Sequence, residues 1–173
     1  MIAPTKEAQT VTSSGVPVRR PIEGLVVRRQ PPMEDERGEI CEIYSPAWGV
    51  HQAPLVYVYQ GTIRPGKVRG WGVHRQQDDR IFLSSGVARF GCYDDRPLSA
   101  THRQHDVFTL SERSRALVVI PRGVFHAIQN IGDTELVFIS MPTAPYNHAD
   151  PDKYRLPLKN DLIPFAFEDG PGW

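Results

Sequence analysis

The stretch ALVVIPRGVFHAIQN (116–130) constrains the fold of this chain more than any other. It opens with an unbroken apolar run, Ala116–Ile120, of strand length and bounded by turn residues. Pro121 and Gly123 then allow a tight corner, because proline fixes φ and glycine reaches backbone conformations closed to other residues. A second apolar run begins at once. Within it His126 alternates with Ile128, so both side chains point to one face of a strand, the expected interior of a barrel. A histidine carried inside by such a corner is the first candidate functional residue.

The rest of the chain repeats the theme of short runs and sharp turns. LVVRR (25–29), EICEIYS (39–45), PLVYVYQGTIR (54–64), VRGWGVH (68–74), RIFLSSGVARFGCYDD (80–95), HDVFTLS (105–111) and TELVFISMP (134–142) read as strands. Turn signals at RPGK, SSG, DDRP and IGD separate them at intervals of about ten residues, the rhythm of a β-sandwich or barrel. The 16 prolines and 14 glycines among 173 residues fit that reading better than long helices. One short helix is expected within 146–157, starting near Asp150 with Pro151 at its first position. Residues 1–20 are polar and read as an extended arm, and 21–173 as a single all-β domain.

Charge excludes several classes of partner. Lys and Arg total 20, as do Asp and Glu, so no bulk field favours nucleic acid or an anionic membrane. No apolar run approaches membrane-spanning length, and MIAPTKEAQT lacks the pattern of a leader, so a cytoplasmic location is the default expectation. Cys41 and Cys92 sit inside apolar runs and read as buried reduced thiols.

A second histidine, His74, closes the run VRGWGVHRQQ, beside a loop carrying Asp78 and Asp79. A divalent transition metal wants three or four N, O or S ligands, and His74 with His126 gives two, so neither metal nor other cofactor is expected. The clusters HRQH (102–105) and HADPD (148–152) read as solvated loops. Without a metal, a histidine in a barrel mouth can still act as a base. It can take a proton from a carbon next to a carbonyl when a cation stabilises the enolate. Arg80 is the candidate cation; the alternatives are an ion pair of Arg80 with Asp78 or Asp79 and a purely structural His74.

The Pro-x-Gly-x-x-His-x-x-x-Asn pattern of 121–130 resembles the second conserved motif of the cupin superfamily, which implies a jelly roll. Four segments in order resemble the dTDP-4-dehydrorhamnose 3,5-epimerase family: IEGLVVRRQPPMEDERGEICEIYS, QGTIRPGKVRGWGVHRQQ, VVIPRGVFHAIQN and LPLKNDLIPFAF, together spanning roughly 22–167. The resemblance implies that His74 is the proton-abstracting histidine and His126 the second pocket histidine. It implies that Arg69 contacts a nucleotide diphosphate, and that Arg37 and Glu42 reach the pocket of a neighbouring subunit in a homodimer. Gln76 and Tyr146 complete the substrate-binding candidates. The ligand implied is a nucleotide-linked 4-keto-6-deoxy sugar.

The departures from the family pattern are specific. Trp71, Gly72 and Val73 stand between the Arg-Gly and the histidine, where the family has one residue. The family's enolate-stabilising lysine falls near Arg80. The position of its acid tyrosine is about Ser140, on a strand that contains no tyrosine, so that Tyr146 or Tyr93 would have to substitute. The chain also ends before the late segment that carries the family's aspartate partner of the histidine. Three functions follow as alternatives: a sugar-nucleotide isomerase using His74, with Arg80 or His126 polarising the keto oxygen; a silent sugar-nucleotide-binding cupin; or a metal-dependent cupin.

Overall fold

A computed structural model describes residue 6 and residues 9–167. The strands in chain order are β1 (Val26–Arg29), β2 (Met33–Asp35), β3 (Gly38–Ile40), β4 (Tyr59–Ile63), β5 (Val68–Val73) and β6 (Asp79–Ser85). They continue with β7 (Val87–Asp94), β8 (His105–Ser111), β9 (Ala116–Ile120), β10 (Val124–Asn130), β11 (Leu136–Ser140) and β12 (Tyr154–Arg155). Two five-stranded antiparallel sheets result, ordered β1-β9-β6-β11-β4 and β12-β5-β10-β7-β8. This is the expected all-β jelly roll.

The core lies between the sheets because each strand turns alternate apolar residues inward. Leu83, Val118, Leu136 and Phe138 from the first sheet meet Phe90, Leu110, Val124 and Ile128 from the second. β9 is buried along its whole length, as its unbroken apolar run requires. The outer faces are covered by segments that join no ladder. Cys41, Ile43, Tyr44 and Trp48 lie on Phe82 and Leu117, so the expected strand 39–45 pairs only as far as Ile40. Across the molecule Ile163, Phe165 and Phe167 cover Trp71, Tyr93 and Phe125, with the Trp71 and Phe167 ring centres 5.3 Å apart.

Close packing of β5 on β10 depends on one glycine. Gly70 has φ +142, and a Cβ there would stand 2.2 Å from Ala127 Cβ and 2.5 Å from Ala127 Cα. The long run 80–95 breaks into β6 and β7 at Gly86, whose φ is +87.

The short helix expected within 146–157 is absent. Residues 154–155 instead pair with Val73 and Gly72 as β12, and the Asp152 carboxylate accepts backbone N–H groups from Arg75, Gln76 and Gln77. Tertiary pairing against β5 outweighs the local helix-start signal of Asp150-Pro151. The only helical segments among the described residues are two 3-10 turns, 46–48 and 112–114. Residues 9–20 are exposed along their length, and the chain first becomes buried at Ile22. The hairpin β2-β3, which carries the Asp-Glu-Arg-Gly turn, forms a separate two-stranded sheet exposed at every position.

Candidate active site

Three strands deliver three side chains to one point inside the barrel. His74 follows the last residue of β5, Asp79 opens β6, and His126 is the third residue of β10. Asp79 Oδ2 lies 3.3 Å from His74 Nε2 and 3.4 Å from His126 Nε2. The two imidazoles stack with ring centres 5.6 Å apart. Each ring directs Nδ1 at a backbone carbonyl: His74 at Asp152, and His126 at Val124 at 3.2 Å. With the Nδ1–H groups donating there, both Nε2 atoms face the carboxylate.

A buried carboxylate between two imidazoles sets the electrostatics. Asp79 is 5% exposed, and burial alone would favour its neutral form. The hydrogen bonds and charges of His126 and His74 outweigh that and hold the carboxyl far below the usual carboxylate range. Burial likewise disfavours a charged His74, but Asp79, assisted by the carbonyl and charge of Asp152, raises its pKa above the ordinary histidine value. The site therefore favours a proton on His74, which is what a base needs at the end of an abstraction.

The surroundings fix this geometry. Asp152 gathers the N–H groups of the loop 75–77 with its carboxylate while its carbonyl orients His74. The Gly123 N–H donates to the His74 carbonyl at 2.7 Å, so the Pro-Arg-Gly corner and the first histidine motif hold each other. Asp78, next to Asp79, takes hydrogen bonds from the Arg122 N–H at 2.8 Å and lies 3.0 Å from His51 Nε2. These contacts make Asp78 a brace for the loop.

The cluster opens into a cavity of about 310 Å³. Tyr59 and Phe138, from β4 and β11, line it from the first sheet, and Arg69 and Lys153 stand at its solvent-exposed rim. Tyr59 points inward with Gly61 and Ile63 by strand alternation and pairs in register with Ser140. The Ser140 hydroxyl is buried and makes no well-formed hydrogen bond. Burial pushes the Tyr59 phenol above its ordinary pKa, and the neighbouring Ser140 hydroxyl opposes this.

Of the residues singled out in the sequence, His74, His126 and Arg69 meet at the cavity; Arg69 Nε also donates to the Thr62 carbonyl at 3.1 Å. Arg80 does not, and the expectation that it polarises a substrate oxygen is corrected. It alternates with Asp79 and Ile81, so it points to the opposite face of β6 and is wholly buried there. Its five N–H groups serve the carbonyls of Met141, Ala53, Pro54 and Pro142 and the Tyr44 hydroxyl. Gln76 and Tyr146 also lie outside the cavity lining: the Gln76 N–H is bound to Asp152, and the Tyr146 ring packs on His148 at 4.8 Å. Tyr93 is in the outer core, so it cannot supply a proton to the cavity. Arg37 and Glu42 are exposed and are not part of their own chain's cavity lining, with Arg37 paired to Asp35 in the hairpin turn.

Asp79 is the functional residue that sequence reasoning missed. The available signal was parity: with Ile81 and Leu83 inside, the inward residue at the head of β6 is Asp79 and not Arg80. Asp79 also corrects the ligand count, since His74, Asp79 and His126 offer donor atoms within 4.8 Å of one another. Two imidazoles with anchored Nδ1 atoms and one carboxylate are a set that can hold a divalent transition metal.

The family model described as dTDP-4-dehydrorhamnose 3,5-epimerase matches residues 19–159. The chain belongs to that family. Among curated relatives of this epimerase-family chain, the probable low-salt glycan biosynthesis epimerase Agl13 of Haloferax volcanii is 32% identical over 124 residues, 71% of this chain and 80% of the relative. The spore coat polysaccharide biosynthesis protein SpsL of Bacillus subtilis is 31% identical over 148 residues, 83% and 95% respectively. The crystal structure of NovW, a 4-keto-6-deoxy sugar epimerase of Streptomyces spheroides, superposes with a TM-score of 0.77 at 19% identity, covering 90% of this chain and 80% of NovW. At that identity the likeness speaks for the shared fold.

Proposed function

We propose that this chain is an isomerase of dTDP-linked 4-keto-6-deoxy sugars, acting in polysaccharide or glycoconjugate synthesis by moving a proton on the carbon beside the keto group. The observation that carries the reading is the buried Asp79 carboxylate between His74 and His126 at the base of the cavity. His74 Nε2 takes the ring proton, the electron pair moves into the enolate, and Asp79 stabilises the imidazolium. Asp79 thereby fills the role of the histidine's aspartate partner.

Inversion also needs a proton from the other face of the ring. Tyr59 lines the cavity from β4, in the sheet opposite the one that carries β5 and His126. In this reading its phenol protonates the carbon and is itself reprotonated from solvent. The tyrosine missing at Ser140 is then supplied by the residue paired with it on the adjacent strand. Arg69 at the rim suits a diphosphate, since a guanidinium fork matches phosphate oxygens.

We further propose a homodimer in which the β2-β3 hairpin of one copy brings Arg37 and Glu42 to the rim of the other. Support comes from the hairpin's joining neither main sheet and from Met33 and Ile40, 78% and 75% exposed on it. The proposed setting is the cytoplasm; among the described residues no helix is long and apolar enough to cross a membrane.

The test is conversion of dTDP-4-keto-6-deoxyglucose followed by NMR. Wild type should yield a product inverted beside the keto group, and Tyr59→Phe should lose inversion while still binding dTDP. Binding of dTDP by wild type with no turnover would establish the silent-binder alternative instead.

A further inference from the structure

Enolate formation places negative charge on the keto oxygen, and a site that catalyses it needs a cation there. Arg80 serves backbone carbonyls on the opposite face of β6, and His126, like His74, faces the Asp79 carboxylate, which offsets a cation at that point. The lysine and arginine side chains that line the cavity are Arg69 and Lys153. Arg69 is the one exposed residue of β5, and its Nε donates to the Thr62 carbonyl. Lys153 is placed differently, through its neighbour. The Asp152 carbonyl holds His74 Nδ1, its carboxylate holds the loop after His74, and Tyr154 directly beyond pairs with Val73. One dipeptide thus orients the base with its first residue and lines the cavity with its second.

We infer that Lys153 is the electrophilic residue of this site, receiving the negative charge of the keto oxygen as His74 removes the ring proton; this rests on the isomerase reading above. The ammonium donates a hydrogen bond to the oxygen, or passes it a proton to give the enol and a neutral amine. That proton returns to the amine when the carbonyl re-forms and the carbon is reprotonated. Nothing is consumed. The packing around the side chain, with Arg155 and Arg69 near it, lowers the lysine pKa, while Asp79 opposes that shift. A lowered pKa brings proton sharing with an enolate oxygen closer to balance. Lys153 is the residue just before β12, which pairs with the end of β5 that leads into His74.

The experiment measures solvent deuterium exchange into dTDP-4-keto-6-deoxyglucose, with kcat and KM resolved, for wild type, Lys153→Met and Lys153→Arg. Exchange by wild type is required first; its absence would count against the isomerase reading and would leave Lys153 out of the matter. Given wild-type exchange, Lys153→Met should lower kcat by about 10²–10³-fold, the usual loss for one oxyanion donor, with dTDP affinity unchanged. Lys153→Arg should recover part of kcat, and it should remove the basic-side fall in rate as the lysine deprotonates. A melt of both variants beside wild type separates loss of folding from loss of chemistry. Unchanged kcat in Lys153→Met would overturn the inference, as would a raised KM and weakened dTDP binding at constant kcat, the mark of a diphosphate anchor.

Discussion

Replacing Arg80 by methionine separates a structural arginine from a catalytic one. The guanidinium is fully buried, and all five of its N–H groups are used, at 2.7–3.3 Å. Its partners are Met141 and Pro142 just after β11, Ala53 and Pro54 on the segment leading to β4, and Tyr44 on the outer cover. Methionine fills much of the volume but leaves four carbonyls unpaired. Hydrogen bonds to a charged group contribute about 1.5–3 kcal/mol each. Five such bonds on one side chain do not add, because they share one desolvation cost and the freed carbonyls of the outer segment can reach water. A loss of about 4 kcal/mol is expected, in the tail of single-substitution effects. For a chain of this size that lowers Tm by about 8–16 °C. Arg80→Lys keeps three donors and should lose about half as much. The assay is a calorimetric melt paired with the exchange rate measured well below each variant's Tm. The expected result is a large fall in Tm with folded-state exchange retained. An unchanged Tm with exchange abolished would refute the structural assignment and return Arg80 to the chemistry.

Because Asp79 raises the His74 pKa, the acid-side limb of the rate profile should lie above about pH 6.5, the ordinary histidine value, and Asp79→Asn should shift that limb to lower pH as well as slow the rate; a limb indifferent to Asp79→Asn would break the proposed pairing. Asp94 is buried, with its carboxyl held well below the usual range despite burial by Arg96, Ser99 and Thr101. A depressed carboxyl stabilises the fold above its unfolded pKa of about 3.9 and loses that contribution as pH falls further. Chemical denaturation from pH 6 to pH 2 should therefore show steep loss below about pH 4 that is flatter in Asp94→Asn, and parallel curves would contradict this. Light scattering should give twice the chain mass for wild type and the chain mass for the pair Met33→Asp with Ile40→Asp; a wild-type monomer would remove the shared-pocket reading.

The sequence was legible where short-range rules decide the outcome. Strand length, turn residues and two-residue alternation locate β8 to the residue, and they carry His126 and Ile128 to the interior, where both line the cavity. Alternation also held the answer to Asp79 and Arg80. It was missed because chemical analogy with a lysine favoured the neighbouring cation over the carboxylate. Other features had no local signal. Asp152 sits in a polar segment that looks solvated, and its value comes from meeting the loop after His74 more than seventy residues earlier in the chain. The segments 41–45 and 54–58 carry strand-like composition yet form no ladder: 41–45 packs over Phe82 and Leu117, and 54–58 is largely exposed. Tyr59 was passed over because the sequence search for an acid followed strand β11 and not the edge strand beside it.

In the proposed reaction His74, backed by Asp79, removes a proton from the sugar carbon beside the keto group. The most direct measurement is ring-proton NMR of dTDP-4-keto-6-deoxyglucose in heavy water with wild type, His74→Ala and metal-chelated wild type. Wild type should place deuterium at a carbon adjacent to the keto group with no loss of rate on chelation, and His74→Ala should be slower by at least about 10²-fold. Exchange that survives in His74→Ala, or that vanishes with the chelator and returns with a divalent ion, would contradict that proposal.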